Sequence, residues 1–409
     1  MNRPDMPNVP VTAEPVATTR QPLPPAEVAT LAQGTNRFAF ALFAKARVQT
    51  GNLVVSPTSV FAALAMASAG ARSSTEAEMR KVLGFEGTAD EGANRTGKFL
   101  ADLQALTPVE VRIANRLFGE KSLAFEPSYV ERTKQAFGAS LAPIDFRGAP
   151  DEARQFINRW VSGQTNNRVQ DLLPVGTVDS ETRLALVNAI SFVGDWATPF
   201  DPTETAPAPF HSHGGGAQSV PTMHHVGQYS FAASDGVKVL ELPYAGGALS
   251  LTLVLPDAPL GLDALEKRMQ RSTLEKWSSA SSGRSVSVAL PKFKIDPSAP
   301  LRLSRPLQSM GMGLAFDADK ADFSGIAATA TAHPRLRLSE VFHKAFIKID
   351  EKGTEAAAAT GGLAVAGAAL PNEKVAEFHA DHPFLFFLRD RSSGMILFMG
   401  RVADPGDVR

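Results

Sequence analysis

The sequence of 409 residues contains no cysteine. Its absence excludes disulfide bonds, thiolate metal ligands and a thiol nucleophile, so stability must come from packing over a large hydrophobic core. The sequence also lacks an excess of charge of either sign, with 41 basic and 42 acidic residues, and it has no Lys- or Arg-rich block. Because such blocks bind phosphate backbones and anionic bilayers, we expect no nucleic acid among the partners.

Long hydrophobic runs are absent as well. The longest weakly apolar run, 356–370, is mostly Ala and Gly and is shorter than the roughly 20 residues that a membrane-spanning helix needs. We therefore expect no membrane as a partner. Residues 1–25 are rich in Pro, Thr and Val without a continuous apolar segment, which predicts a disordered tail and no signal peptide.

The part of the chain that follows, from residue 26 to about 107, has the periodicity of helices. A short strand is predicted to end at Ser56, which would cap a helix that carries Pro57 at its first position. A Ser-x-x-Glu pattern at Ser73 and Glu76 predicts a capping box at the next helix.

From Val237 onward the sequence favours strands. The β-rich runs are separated by Gly, Pro and Asp, and the sequence has neither a repeat nor a regular alternation of strands and helices. Helices that cluster early and strands that cluster late indicate an α+β fold with large antiparallel sheets. Because no linker divides the chain, we predict a single domain over 26–409.

Three motifs suggest enzyme or metal chemistry, and each lacks a necessary part. The run from His213 to Gly216 is typical of the oxyanion segment of lipase-like hydrolases, but the sequence has no Gly-x-Ser-x-Gly nucleophile motif. Asp317, Asp319 and Asp322 are spaced like calcium ligands, but the late Glu of a calcium loop is missing, so a capped turn is predicted. No carboxylate accompanies a group of histidines that we place in a solvated turn, with no metal: His211, His213, His224 and His225.

Six stretches resemble, in order and spacing, those of the serpin family: 52–59, 186–196, 290–295, 341–356, 378–387 and 397–401. A single one would be weak evidence, but six in order from about 27 to 405 are specific. The resemblance, to a bacterial-type inhibitory serpin, implies the serpin fold: three β-sheets with a large central sheet A, eight to nine helices, and an exposed reactive-centre loop at about 351–377.

The resemblance implies an inhibitor and not an enzyme. Such a serpin is an irreversible suicide substrate of a serine protease: the loop is cleaved, the acyl-enzyme is trapped and the loop inserts into sheet A. It would act as a monomer without a cofactor, and this function favours an extracellular or periplasmic location. Two alternatives remain: a non-inhibitory serpin that acts as a binding or chaperone-like protein, and a hydrolase.

The small side chains of 353–370 fit this interpretation, because alternate residues of an inserted strand must face a packed core. Every second residue is small: Thr354, Ala356, Ala358, Thr360, Gly362, Ala364 and Ala366. A flexible Ala/Gly linker would share this composition, but 353–370 also lacks Ser, Lys and Pro.

By resemblance, the hinge of the loop comprises Glu351, Gly353, Thr354, Glu355, Ala356, Ala357, Ala358 and Ala359. The usual loop length places the cleaved bond at Gly367–Ala368, but the distance from Thr354 to Pro383 is a few residues longer than in the commonest pattern, so the window extends over Val365, Ala366, Ala369 and Leu370. No Lys or Arg lies between residues 353 and 373, which disfavours trypsin-like targets and favours elastase-like or subtilisin-like proteases.

Two further groups resemble the parts that control sheet opening. The shutter, a polar group expected to hold two strands together, would consist of Ser56, Ser59, Asn188 and His343. The breach, where the loop enters, would consist of Trp196, Lys292 and Glu351. Taken one by one, these residues could equally be a helix cap, a core histidine, a core aromatic residue and a surface ion pair.

Overall fold

The computed structural model describes residues 22–138, 141–212, 216–328, 336–354 and 374–407. Within these ranges, most α-helices precede residue 165, as the periodicity predicts. The α-helices are α1 Pro25–Ala46, α2 Pro57–Ser68, α3 Ser73–Leu83, α4 Ala89–Gln104, α5 Pro127–Phe137, α6 Pro150–Gln164, α7 Leu262–Arg268, α8 Arg271–Ala280 and α9 Ser304–Ser309. Short 3-10 turns lie at Pro202–Glu204, Leu314–Phe316 and Pro405–Asp407.

Most strands follow residue 180. They are β1 Leu53–Val55, β2 Glu110–Glu120, β3 Ala142–Ile144, β4 Leu184–Asp195, β5 Ala206–His211, β6 Ala217–Ser234, β7 Val237–Pro243, β8 Leu249–Pro256, β9 Ser282–Pro291, β10 Phe293–Ile295, β11 Leu301–Arg302, β12 Glu340–Ile349, β13 Gly353–Thr354, β14 Ala376–His379, β15 Phe384–Asp390 and β16 Ile396–Val402. This distribution confirms the α+β class.

The central sheet, as we call the seven-stranded one, has the order β10-β12-β13-β4-β2-β3, with β11 also on β12. The second sheet has nine strands in the order β1-β16-β15-β8-β7-β6-β9-β14, with β5 on β6. The long β6 pairs with β5 and β9 through most of its length and reaches β7 only through Ser230–Ser234. The expected three sheets are thus the central sheet and the two halves of the second one, which β6 joins.

Strand β4 occupies the middle of the central sheet because it is apolar on both faces. Its inward residues Leu186, Ile190 and Phe192 belong to the main core, which also contains the apolar residues of α2. The residues between them, such as Val187 and Ala189, join a second core under α6. A strand that is covered by helices on both faces has a nearly continuous hydrophobic sequence, and β4 has one.

The start of α2 confirms the predicted cap: Ser56 is the N-cap, and its hydroxyl accepts a hydrogen bond from the Ser59 amide at 3.3 Å. The predicted capping box of α3 is wrong. Ser73 has a φ of 54° and donates its hydroxyl to Asp322, so a tertiary contact replaces the local cap. The capping box of this region lies instead at Thr88 and Glu91, at the start of α4.

The start of the described chain is packed slightly earlier than predicted. Leu23 is buried, and its amide donates to a carboxylate oxygen of Asp102 at 3.1 Å. Residues 1–21 of the predicted tail lie outside the described ranges. No helix in the described part of the chain is long and apolar enough to cross a membrane.

The histidine and aspartate motifs have ordinary structural roles. Asp317 accepts the amides of Asp319 and Lys320, which confirms a capped turn. His224 and His225 lie within β6, so their placement in a solvated turn is wrong. His213 lies outside the described residues, and in the ranges that the structure describes no three metal-binding side chains come together.

Candidate functional site

A row of polar side chains crosses the middle of the central sheet. Strands β2, β4 and β12 are neighbours, and their register places Asn115 opposite Asn188 and Asn188 opposite His343. All three side chains are buried in the main core, where an unpaired polar group would be costly. They therefore have to satisfy one another and the start of α2, which packs on this face.

His343 connects β12 to β4 and to α2. Its Nε2 accepts the Ser56 amide at 3.0 Å, and its Nδ1 contacts the side-chain oxygen of Asn188. A ring nitrogen that accepts carries no proton, so Nδ1 must be the protonated nitrogen that donates to Asn188. Complete burial lowers the pKa of His343 to about 3, which keeps this tautomer neutral at physiological pH.

Asn188 passes the connection on to α2 and β2. Its side-chain nitrogen donates to the Ser59 hydroxyl at 2.5 Å and also contacts the Asn115 oxygen. Asn115 in turn donates to the Ser59 carbonyl at 3.2 Å, and Ser56 donates its hydroxyl to the Leu397 carbonyl at 2.6 Å. The network therefore joins three strands of one sheet, one helix and a strand of the second sheet.

The two strands that His343 and Asn188 connect, β12 and β4, run parallel to each other. They are directly paired from Glu340–Ala185 to Phe346–Ser191. Beyond Phe346 they separate, and β13 enters between them in an antiparallel direction, with Thr354 opposite both Ile349 and Gly194. At one end of the central sheet, β4 and β12 are thus separated by a gap, and β13 lies in this gap.

The gap is narrow at Gly353. A Cβ added there would lie 2.0 Å from the carbonyl oxygen of Gly194, and the φ of Gly353 is 154°, a conformation that other residues rarely adopt. A residue with a side chain could not occupy this position unless β4 moved. The backbone therefore requires the glycine that the sequence provides.

Aromatic side chains form the floor of this gap. Trp196 is buried, its indole nitrogen donates to the Asp350 carbonyl at 3.0 Å, and its amide donates to the Lys352 carbonyl at 2.7 Å. The Tyr244 ring stacks on Trp196, with centroids 4.6 Å apart, and its hydroxyl lies 2.6 Å from the Thr354 hydroxyl. The turn before β13 is thus fixed to the end of β4 and to the second sheet.

An ion pair lies on the outer side of the same turn. Lys292 Nζ is 2.9 Å from Glu351 Oε2, and the Thr205 hydroxyl donates to Glu351 Oε1, also at 2.9 Å. Burial alone would raise the pKa of Glu351, but the hydrogen bonds from Lys292 and Thr205 outweigh it and lower the pKa. The carboxylate is therefore the form that the site holds.

The structure brings together both predicted groups. Ser56, Ser59, Asn188 and His343 form one network, and Trp196, Lys292 and Glu351 surround one turn. Of the predicted hinge, Glu351, Gly353 and Thr354 are described, whereas Glu355, Ala356, Ala357, Ala358 and Ala359 lie outside the described residues. The predicted cleaved bond, Gly367–Ala368, also lies outside them. The roles of all these residues stay predictions.

Sequence reasoning missed two residues of the site. Asn115 is an uncharged polar residue among apolar positions of β2, which is a signal that the sequence offers, but its partner depends on the register with β4. Tyr244 gives no such signal, because it reaches the gap from the turn between β7 and β8.

Comparison with known proteins gives the family. The sequence profile of serpins, described as serine protease inhibitors, matches residues 33–405. This chain belongs to the serpin family. Leukocyte elastase inhibitor A of the mouse is 39% identical to this serpin over 87% of this chain and 94% of its own. Human leukocyte elastase inhibitor is 37% identical over 92% of this chain and 99% of its own. The crystal structure of uncleaved ovalbumin is similar with a TM-score of 0.83 and 31% identity, and the similarity covers 92% of this chain and all of ovalbumin.

Proposed function

We propose that this serpin is an irreversible suicide-substrate inhibitor of elastase-like or subtilisin-like serine proteases. The observation that carries the proposal is the pairing of Thr354 with both β12 and β4. A strand that has begun to form between two central strands is a start from which the rest of the loop can follow. In a protein that only binds a partner with its loop, this pairing would have no such role.

The register of β13 predicts which residues of the loop would pair with which residues of β4 if the strand grew longer. If the pairing of Thr354 with Gly194 continued, Ala356 would lie opposite Phe192 and Ala358 opposite Ile190. These positions face the main core, so small side chains fit there and charged ones do not. The same count places Thr360 in the row of Asn188 and His343, with Asn188 as its partner on β4 and His343 as its partner on β12.

The position of Thr360 in this register would explain how the shutter residues keep hydrogen-bond partners when a strand inserts. Insertion of a strand separates β4 from β12 and breaks the contact between Asn188 and His343. The hydroxyl of Thr360 would then stand between the two side chains, where it can donate to one and accept from the other. The polar row would be satisfied before and after insertion, and only the path between the two states would leave it unpaired.

The chemistry belongs to the target protease. Its serine Oγ attacks the carbonyl carbon of Gly367, the bond to the Ala368 nitrogen breaks, and the released amine takes a proton from the protease histidine. The loop, now joined to the protease by an ester, inserts and carries the protease with it. Distortion of the oxyanion hole then stops water from hydrolysing the ester. Val365, Ala366, Ala369 and Leu370 remain alternative positions for the cut.

The loop composition and the relatives support the target class. No Lys or Arg lies between residues 353 and 373, so a protease with an acidic pocket has no side chain to bind. The mouse and human relatives named above are called leukocyte elastase inhibitors. Small aliphatic residues suit the pocket of an elastase and also the open cleft of a subtilisin.

A denaturing gel of the protein mixed with subtilisin or with an elastase tests the proposal. A covalent band larger than either partner is expected, together with a released C-terminal peptide whose mass identifies the cleaved bond. Complete cleavage without this band, while both proteases stay active, would favour the non-inhibitory alternative.

Two variants sharpen the test because they differ only in the side chain placed at one position. Ala358→Glu places a charge toward the core of the inserted strand and should convert the inhibitor into a substrate. Ala358→Ser places a small side chain at the same position and should leave the covalent band. Equal behaviour of both variants would contradict strand insertion.

A further inference from the structure

Tyr244 is held rigidly at the gap of the central sheet. It lies between β7 and β8, and its amide donates to the Leu249 carbonyl at 3.0 Å. The ring stacks on Trp196 with an interplanar angle of 18°, and Phe192 packs against it edge-on at 4.9 Å between centroids. The side chain is fully buried. Its hydroxyl therefore occupies a fixed point below the gap and is carried by the second sheet.

The partner at this fixed point is the start of the loop. The Tyr244 hydroxyl lies 2.6 Å from the Thr354 hydroxyl, which is also fully buried. Burial raises the pKa of Tyr244, so the phenol keeps its proton and can donate. With the phenol removed, the Thr354 hydroxyl would be left without this partner in an apolar site, which disfavours its position in the sheet.

We propose that Tyr244 is a positioning residue whose hydroxyl holds Thr354 inside the central sheet and so favours trapping of the protease over its release. The inference rests on the proposed function. Thr354 already has its strand partners, Ile349 and Gly194, so its place does not change when later residues insert. The hydrogen bond therefore keeps Thr354 in place before insertion and in every later state, and it favours trapping because a Thr354 that had left the sheet would have to return before the rest of the loop could insert.

This bond acts on a competition between two rates. After the protease is acylated, the loop either inserts or the ester is hydrolysed and the protease leaves. If Thr354 were free, insertion would first have to order this residue and then find its register. The hydroxyl of Tyr244 removes that step. Because Tyr244 is not part of the predicted cleaved bond, we expect its hydroxyl to leave binding and acylation unchanged.

The experiment compares Tyr244→Phe, Thr354→Val and the double variant with the wild type. The matched control is Tyr129→Phe, since Tyr129 is also fully buried and its hydroxyl donates to the Met66 carbonyl at 3.0 Å, away from the loop. Two quantities are measured with subtilisin and with an elastase. One is the number of inhibitor molecules consumed per trapped protease, and the other is the rate constant of association.

Both single variants should raise the ratio of hydrolysis to trapping about two- to tenfold, the factor that one buried hydrogen bond represents. The double variant should resemble the single ones, because both remove the same bond. The association rate constant should stay within about twofold of the wild-type value, and the control should match the wild type. An unchanged ratio in Tyr244→Phe, or an equal change in Tyr129→Phe, would overturn the proposal.

Hydrogen exchange of the segment 350–354 gives a readout that needs no protease. The inference expects slow exchange in the wild type and in Tyr129→Phe, and faster exchange in Tyr244→Phe. If the wild type traps neither protease, the proposed inhibition fails, and exchange alone decides whether Tyr244 positions the loop. Equal exchange in Tyr244→Phe and the wild type would refute it.

Discussion

Acidification should loosen the shutter through His343. In the native state burial lowers the pKa of His343 to about 3, whereas an exposed histidine titrates near 6.5. Between these values the unfolded or opened state binds a proton that the native state does not. Stability is therefore fully present above pH 6.5 and is lost as the pH falls from 6.5 toward 3.

The magnitude follows from the two pKa values. A solution at pH 5 is about 1.5 pH units below the pKa of an exposed histidine. Protonation of His343 in the opened state therefore favours that state by about 2 kcal/mol. A proton on Nε2 also removes the acceptor of the Ser56 amide, so the network cannot keep its geometry. If the opening step frees the imidazole, its rate should rise by up to about 30-fold between pH 7.5 and pH 5.

The assay is the rate of unfolding in a fixed urea concentration, followed by tryptophan fluorescence, because a kinetically held native state is characterised by a rate. The comparison is with His343→Gln, which is less stable at every pH but has no proton to gain. His225 and Glu266 also have shifted pKa values, but both proteins contain them, so their contributions cancel. Equal acceleration in the variant and the wild type would refute the reasoning.

Three other substitutions test single contacts. Gly353→Ala should lower the free energy of unfolding by about 1–3 kcal/mol and speed hydrogen exchange in 350–354. The control is Gly51→Ala, because Gly51 also has a positive φ but an added Cβ there would meet no other atom. This control should leave the exchange of 350–354 unchanged. Asn115→Ala leaves buried shutter groups unpaired and should cost about 1–3 kcal/mol, measured from denaturation midpoints. Glu351→Gln should cost less than about 1 kcal/mol, since Lys292 is partly exposed, and the difference from the wild type should shrink in high salt.

The helices and strands with strong patterns could be predicted from the sequence. Helices α1 to α4 lie between Pro25 and Gln104, where the periodicity predicts helices, and the cap at Ser56 is where the Ser-Pro pair indicates. The cap at Ser73 failed because Asp322, which is remote in sequence, takes its hydroxyl. A local motif predicts a local contact, and a tertiary partner can replace it.

The site was predictable in part for the same reason. Four shutter residues were found by resemblance, but Asn115 needed the register between β2 and β4, which no local pattern states. Tyr244 needed the contact between two sheets. Contacts that depend on register and on packing between sheets are fixed by the whole fold, so a strand pattern alone could not show them.

The pairing of the central sheet gives a reason why the proposed insertion would be favourable and would wait for cleavage. Insertion would replace one parallel ladder, between β4 and β12, by two antiparallel ladders on the new strand, and antiparallel pairs are slightly more stable per residue. Yet both ends of the loop are fixed. Thr354 is paired in the central sheet, and Ala376–His379 is paired with β9 in the second sheet. Unless β14 leaves β9, only a cut between these two anchors would let the remaining residues enter, so in the proposed mechanism the protease itself would release the more stable pairing.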